Sequence, residues 1–197
     1  RFKASGLTEL KTLTEFDWSF NPKLPKREIY ELVTAKFIQN GEHALLIGSP
    51  GTGKSHIAKT IAHASIQLFQ KTVYREAHVF FEDMFEAEQT GKTKKVLKLF
   101  SEADLLIIDD LFLRKKMPSD AADYLLDIII NRYSKRKSVV ITSNRPIEDW
   151  GILLKDNAAS SAILDRLLHH GHLLKFEGKS YRLKEAAKRL SQMKDKK

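Results

Sequence analysis

Eight consecutive residues, Gly48-Ser49-Pro50-Gly51-Thr52-Gly53-Lys54-Ser55, satisfy the spacing G-x-x-x-x-G-K-S/T, and each residue type in it has a reason in phosphate chemistry. Gly51 and Gly53 let the backbone turn its amides inward, and a helix beginning at the end of the octad offers unpaired N–H groups at its positive end. Lys54 would bridge the outer phosphates of a nucleoside triphosphate, and Ser55 would ligate Mg²⁺ through its hydroxyl. The nucleotide-binding set is therefore Gly48, Ser49, Pro50, Gly51, Thr52, Gly53, Lys54 and Ser55, with His56 on the first helical turn. The expected ligands are ATP or ADP with Mg²⁺. A chance glycine turn is the alternative, and the apolar run before the octad and the amphipathic run after it weigh against that.

A second constellation is Leu105-Leu106-Ile107-Ile108-Asp109-Asp110, four apolar residues followed by two carboxylates. Downstream of a phosphate loop this is the Walker B pattern: Asp109 would hold Mg²⁺ in its outer sphere, so the metal set is Ser55 and Asp109, and Asp110 would orient or deprotonate the attacking water. Asp in place of the commoner Glu at position 110 shortens the base, so turnover is expected to be slow. Val139 to Asn144 ends another apolar run, and Asn144 at its tip is placed to contact the γ-phosphate or the water; Asn is also a common turn former. In the helical stretch Asp165-Arg166-Leu167-Leu168, Arg166 is either a transition-state cation offered to a neighbouring subunit or half of a surface ion pair.

These residues need a scaffold that brings distant segments to one edge. Short apolar runs at Ala44–Ile47, Thr72–Arg75, Leu105–Ile108, Ser138–Thr142 and Leu173–Phe176 read as strands, and amphipathic stretches such as Ile57, Ile61, Ala64 and Leu68 lie between them. Strands separated by helices predict parallel crossover units and an α/β sheet covered on both faces. Leu105 to Ile108 has no polar alternation, as a central strand requires. Ahead of the sheet, Ile29, Leu32, Val33 and Phe37 predict one helix from Arg27 to Gln39, stopped by Asn40-Gly41.

The 197 residues suit one domain with a full core, and 42% apolar against 30% charged residues excludes disorder and a membrane-embedded chain. Absence of cysteine rules out disulfides and thiolate metal sites and permits a reducing compartment. Residue 1 is Arg rather than Met, from which the expectation is a chain trimmed from something longer. The formal charge of +9, from 34 basic and 25 acidic side chains, favours polyanionic partners.

Beyond these motifs, the stretches Thr12 to Phe20, Asp104 to Leu111, Thr142-Ser143-Asn144-Arg145-Pro146, Trp150-Gly151, Ala162 to His170 and Ser180-Tyr181-Arg182-Leu183 together resemble the IstB group of AAA+ ATPases, transposition helpers of bacterial insertion sequences related to DnaC-type helicase loaders. The resemblance runs over nearly the whole chain. It implies an α/β P-loop NTPase of the AAA+ type, with a parallel central sheet flanked by helices and a reduced C-terminal lid at Leu183–Leu190. It makes Asn144 sensor 1 and Arg166 the arginine-finger candidate, so that Asp110, Asn144 and Arg166 form the catalytic set; with the lid reduced, Arg182 is a candidate surrogate for a second sensor that the resemblance does not itself identify. It further implies a bacterial cytoplasmic protein, with no membrane attachment, that self-assembles through its ATP sites on duplex DNA, selects targets and assists a transposase, its ATPase stimulated by DNA. A DnaC-like helicase loader is the nearest alternative; a P-loop small-molecule kinase is a more distant one, since no acceptor site is visible.

The family's DNA-facing element is expected between the second strand and Walker B, where Lys92, Lys94, Lys95 and Lys98 cluster around Gly91; Arg114, Lys115 and Lys116 form a second cluster and Lys135-Arg136-Lys137 a third. The first two are taken as backbone-contacting DNA sites, although each such cluster is often a solvated turn. His169, His170 and His172 fit no common zinc spacing. Phe16, Trp18 and Phe20 are expected to staple an N-terminal arm to the core rather than meet the base. The chain is thereby divided into an arm and helix (1–40), an ATPase core (41–178) and a short C-terminal helix and tail (179–197).

Overall fold

A computed structural model of the chain describes residues 1–114 and 117–194. In order, the elements are α1 (Phe2–Ser5), a 3₁₀ turn (Leu13–Glu15), α2 (Lys26–Val33), α3 (Phe37–Asn40), β1 (His43–Gly48), α4 (Lys54–Gln67), β2 (Thr72–Glu76) and α5 (Ala77–Gln89). There follow α6 (Thr93–Glu102), β3 (Leu105–Leu111), α7 (Ala121–Ser134), β4 (Ser138–Ser143), a second 3₁₀ turn (Ile147–Asp149), α8 (Trp150–Leu154), α9 (Asn157–His169), β5 (Gly171–Phe176) and α10 (Tyr181–Lys194). Among the described residues no helix is long and apolar enough to cross a membrane.

The strands form one parallel sheet in the order β2-β3-β4-β1-β5. Each expected strand is present, lengthened by one to three residues. Because side chains alternate across a strand, β3 sends Leu106 and Ile108 to one face with Phe80, Phe100, Leu125, Ile128 and Trp150. Leu105 and Ile107 go to the other, with Ile29, Leu32, Ile57 and Ile61 of α2 and α4. All four β3 residues are fully buried, which is why the run needs no polar alternation.

The single helix expected from Arg27 to Gln39 is two. Ala35 takes a left-handed φ of 57°, and the Thr34 hydroxyl donates to Glu31 O at 2.7 Å, closing α2 before Phe37 restarts the chain as α3. Apolar periodicity survives this kink because Leu32 and Phe37 still face the same cluster. At the other end, α10 starts two residues earlier than expected and runs on to Lys194.

Two buried polar groups anchor the edge of the sheet opposite the site. The Arg132 guanidinium is fully buried and donates to the carbonyls of Phe100 and, at 2.5 Å, Ser138. His43 Nδ1 accepts from the Val139 amide at 3.2 Å. Burial first, then the neighbouring Arg132 and His170 charges, depress the His43 pKa to about 4.

Candidate nucleotide-binding and hydrolysis site

β1 delivers the octad to the carboxyl edge of the sheet, and α4 begins at Lys54. Gly51 and Gly53 hold φ of 77° and 106°, a region costly for residues with a Cβ. Space forbids side chains as well: a Cβ on Gly53 would come within 2.5 Å of the Phe16 ring, and one on Gly51 within 2.1 Å of Ser180 Oγ. The loop is thus closed over by the N-terminal arm on one side and by the chain entering α10 on the other.

A cleft of about 540 Å³ opens here, lined by residues of the loop together with Asp110, Asn144 and Arg182. Pro50, Gly51, Thr52, Gly53, Lys54, Ser55 and His56 all line it. Lys54 is buried and donates to Gly48 O at 2.7 Å and Ser49 O at 2.9 Å. Its pKa is lowered, chiefly by burial, against the opposing pull of the Asp110 and Asp109 carboxylates. His56 has its Nε2 bonded to Thr12 O at 2.8 Å, so it ties the arm to α4 at the cleft wall.

β3 carries the two carboxylates differently. Asp109 is buried, and its oxygens accept from Tyr74 Oη and Thr142 Oγ1, each at 2.5 Å. Asp110 sits in a break of the β3–β4 register with φ of 58°, a conformation Asp tolerates better than most residues, and its amide donates to Thr142 Oγ1 at 2.8 Å. Burial raises the Asp110 pKa, Asp109 adds to the rise, and Lys54 and Arg182 oppose it. A carboxylate with a raised pKa beside a cleft is suited to proton transfer.

Since β4 lies between β1 and β3, its tip falls between loop and carboxylates. Asn144 lines the cleft there, and its Oδ1 is buried with no partner among the described residues. A buried amide oxygen left unpaired is costly, and a water or ligand would relieve it. Ser55 lines the cleft, whereas Asp109 is buried behind Asp110 and does not; a hydroxyl and a carboxylate are oxygen donors of the kind that suits Mg²⁺. Among the described residues there is no cluster of three or more His, Cys, Asp or Glu side chains placed to hold a metal ion.

Arg166 is on α9, outside this cleft, its Nη1 bonded to Ala162 O at 2.8 Å. Lys92, Lys94, Lys95 and Lys98 are exposed at the start of α6, and Arg114 is exposed, 4.0 Å from Glu82; Lys115 and Lys116 lie outside the described residues. His169 bonds Tyr133 and His172 bonds Glu42, without forming a metal cluster. Phe16 and Trp18 pack on the core, as expected, but Phe16 and Phe20 also line the cleft, a correction to the view that the arm is only a staple. Sequence reasoning also missed Tyr74 and Asn21, whose partners lie 35 and 158 residues away; no local pattern marks either.

A five-stranded parallel sheet with the phosphate loop after β1, paired carboxylates on β3 and a polar tip on the intervening β4 defines a P-loop NTPase of the AAA+ type. More particularly, residues 1–189 match the family model described as IstB-like ATP binding protein, and the chain belongs to that family. It is 38% identical over 194 residues to the ATP-binding protein of insertion sequence IS5376 from Geobacillus stearothermophilus, covering 98% of this chain and 76% of the relative. It is 32% identical over 188 residues to that of IS21 from Pseudomonas aeruginosa, covering 95% and 70%.

Among solved structures the fold resembles the replication initiator DnaA bound to AMPPCP and single-stranded DNA, with a TM-score of 0.68 at 23% identity, over 92% of this chain and 54% of that one. It also resembles the DnaC helicase loader, with a TM-score of 0.64 at 22% identity, over 77% and 87%. The chain thus spans about half the length of the initiator, and at these identities the likeness is one of fold.

Proposed function

We propose that the protein binds ATP with Mg²⁺ in the cleft, hydrolyses it slowly, assembles on duplex DNA and assists the transposase of an insertion sequence in choosing its target. The observation that carries the ATPase reading is the meeting of Lys54, Asp110 and the unpartnered Asn144 oxygen at one cleft. Lys54 would exchange its two loop carbonyls for phosphate oxygens, and Asp110 would take the proton of the attacking water. Asn144 would hold that water or the γ-phosphate. Bound Mg²⁺, held by the Ser55 hydroxyl with Asp109 in its outer sphere, would supply charge neutralisation across the outer phosphates.

Arg166 lies outside its own cleft, so any transition-state role belongs to a site on a second copy. That is the reason to propose assembly through the ATP sites. The names of the relatives place them in insertion sequences, which favours transposition over helicase loading. The exposed lysines around α6 would contact the DNA backbone. By role, 1–40 would then serve as arm and 41–178 as motor, followed by a short C-terminal helix and tail (179–197) with a reduced lid at Leu183–Leu190.

Sizing the protein with duplex DNA under ATP, ADP and no nucleotide tests the reading. A large nucleoprotein species seen only with ATP, and DNA-stimulated phosphate release, are expected. A monomer under all three conditions would overturn the assembly, and retention of a replicative helicase rather than a transposase in pull-downs would overturn the partner.

A further inference from the structure

We infer that Tyr74 and Thr142 together form a hydroxyl cradle that sets the Asp109 carboxylate for Mg²⁺, and that they are positioning residues of the ATPase; this rests on the nucleotide reading above. Tyr74 comes from β2, the edge strand beyond Walker B, and is buried. Its phenol has crossed to the next strand to reach Asp109 Oδ2, while Thr142 reaches Oδ1 from β4 on the opposite side. Both bonds are 2.5 Å long, at the short end of the hydroxyl hydrogen-bond range.

The arrangement has two consequences for the site. A carboxylate gripped at both oxygens by donors from two flanking strands cannot rotate about its χ2 angle without breaking a buried bond. Its remaining lone pairs are therefore fixed in direction before any cation arrives. Outer partners of this kind orient metal-binding carboxylates, and their loss commonly lowers metal affinity or activity about 10- to 100-fold. Furthermore, Thr142 Oγ1 accepts the Asp110 amide at 2.8 Å while donating to Asp109. One hydroxyl thus joins the proposed metal-side carboxylate to the backbone of the proposed base at its left-handed φ.

Were Tyr74 merely a core residue, its ring would suffice, because it packs with Leu105 and Ile107. Placing the phenol of a buried tyrosine on the one buried Walker B carboxylate serves orientation instead.

The test compares Tyr74→Phe, Thr142→Val and Thr142→Ser with the wild type, using a fluorescent ATP analogue titrated in EDTA and at graded Mg²⁺. Tyr74→Phe keeps the ring and Thr142→Val keeps the shape. Each is expected to leave affinity in EDTA within about twofold while raising the Mg²⁺ concentration for half-maximal tightening by about tenfold. Thr142→Ser should restore the wild-type value, and thermal melts confirm folding. Equal Mg²⁺ dependence in the wild type, Tyr74→Phe and Thr142→Val would overturn the cradle and leave the nucleotide site standing. A wild type whose ATP-analogue binding ignores Mg²⁺ would overturn both.

Discussion

Asn21 closes a ring of two hydrogen bonds with the backbone of Lys179: its Nδ2 donates to Lys179 O and its Oδ1 accepts from Lys179 N, each at 3.0 Å. Asn21 is only 7% exposed, whereas Lys179 is exposed, so the two bonds are part-buried. They fasten the N-terminal arm to the chain just ahead of α10, where the Tyr181 amide donates to Gly51 O of the phosphate loop at 2.9 Å and Arg182 enters the cleft. Hydrogen bonds thus link the N-terminal arm, the phosphate loop and the start of α10.

Asn21→Ala should therefore lower both stability and nucleotide affinity. Loss of two part-buried bonds is expected to cost about 1 to 2 kcal/mol in urea unfolding. Arg182→Ala should match the fall in ATP affinity with little change in the unfolding midpoint. Equal ATP affinity in Asn21→Ala and the wild type would separate the mount from the site.

Asp110→Asn should bind ATP and fail to hydrolyse it, while becoming more stable at neutral pH. Because the folded-state pKa of Asp110 lies above the ordinary 3.8, its contribution to stability is complete below 3.8 and is lost as pH rises through the folded value. The amide carries no charge to lose. Its melting temperature should exceed the wild type's at pH 7, and the gap should close toward pH 4. Wild-type phosphate release by the variant would remove Asp110 from the role of base.

His43 should contribute to acid unfolding in the opposite sense. Its folded pKa of about 4 lies below the ordinary 6.5, so the unfolded chain takes up the proton first. Stability present above pH 6.5 is lost as pH falls toward 4, by up to about 3 kcal/mol. His43→Asn, which keeps an acceptor for the Val139 amide, should flatten the pH dependence of urea unfolding by about one proton over that window. An unchanged slope would show that His43 protonates equally in both states.

Charge reversal at Lys94 and Lys95 should weaken duplex binding and flatten its salt dependence. Each phosphate contact removed lowers the slope of log affinity against log salt by about 0.9, so the pair predicts a fall of nearly two. Affinity and slope like the wild type's would exclude the start of α6 from the DNA surface.

The local chemistry was legible because it is written in contiguous residues. The octad from Gly48 to Ser55, the run ending in Asp109-Asp110, the strand tip at Asn144 and the parallel α/β pattern each depend on neighbours in sequence, and periodicity reports such short-range order. The kink at Ala35 was not legible, because the apolar period continues through it while one residue's φ changes sign. The longer reach of α10 was missed because a polar, exposed helix carries little apolar patterning.

By itself, then, the sequence determined which side chains could handle a nucleotide and which segments would become strands and helices. Tertiary structure alone decided that β4 enters between β1 and β3, bringing Asn144 to the phosphate loop and Thr142 to Asp109. It also decided that Tyr74 would cross from β2 and that Asn21 would clasp Lys179. The physical reason is that strand order and long-range bonds are chosen by which apolar faces and buried polar groups satisfy one another across the whole sheet, and no local window of residues contains that choice.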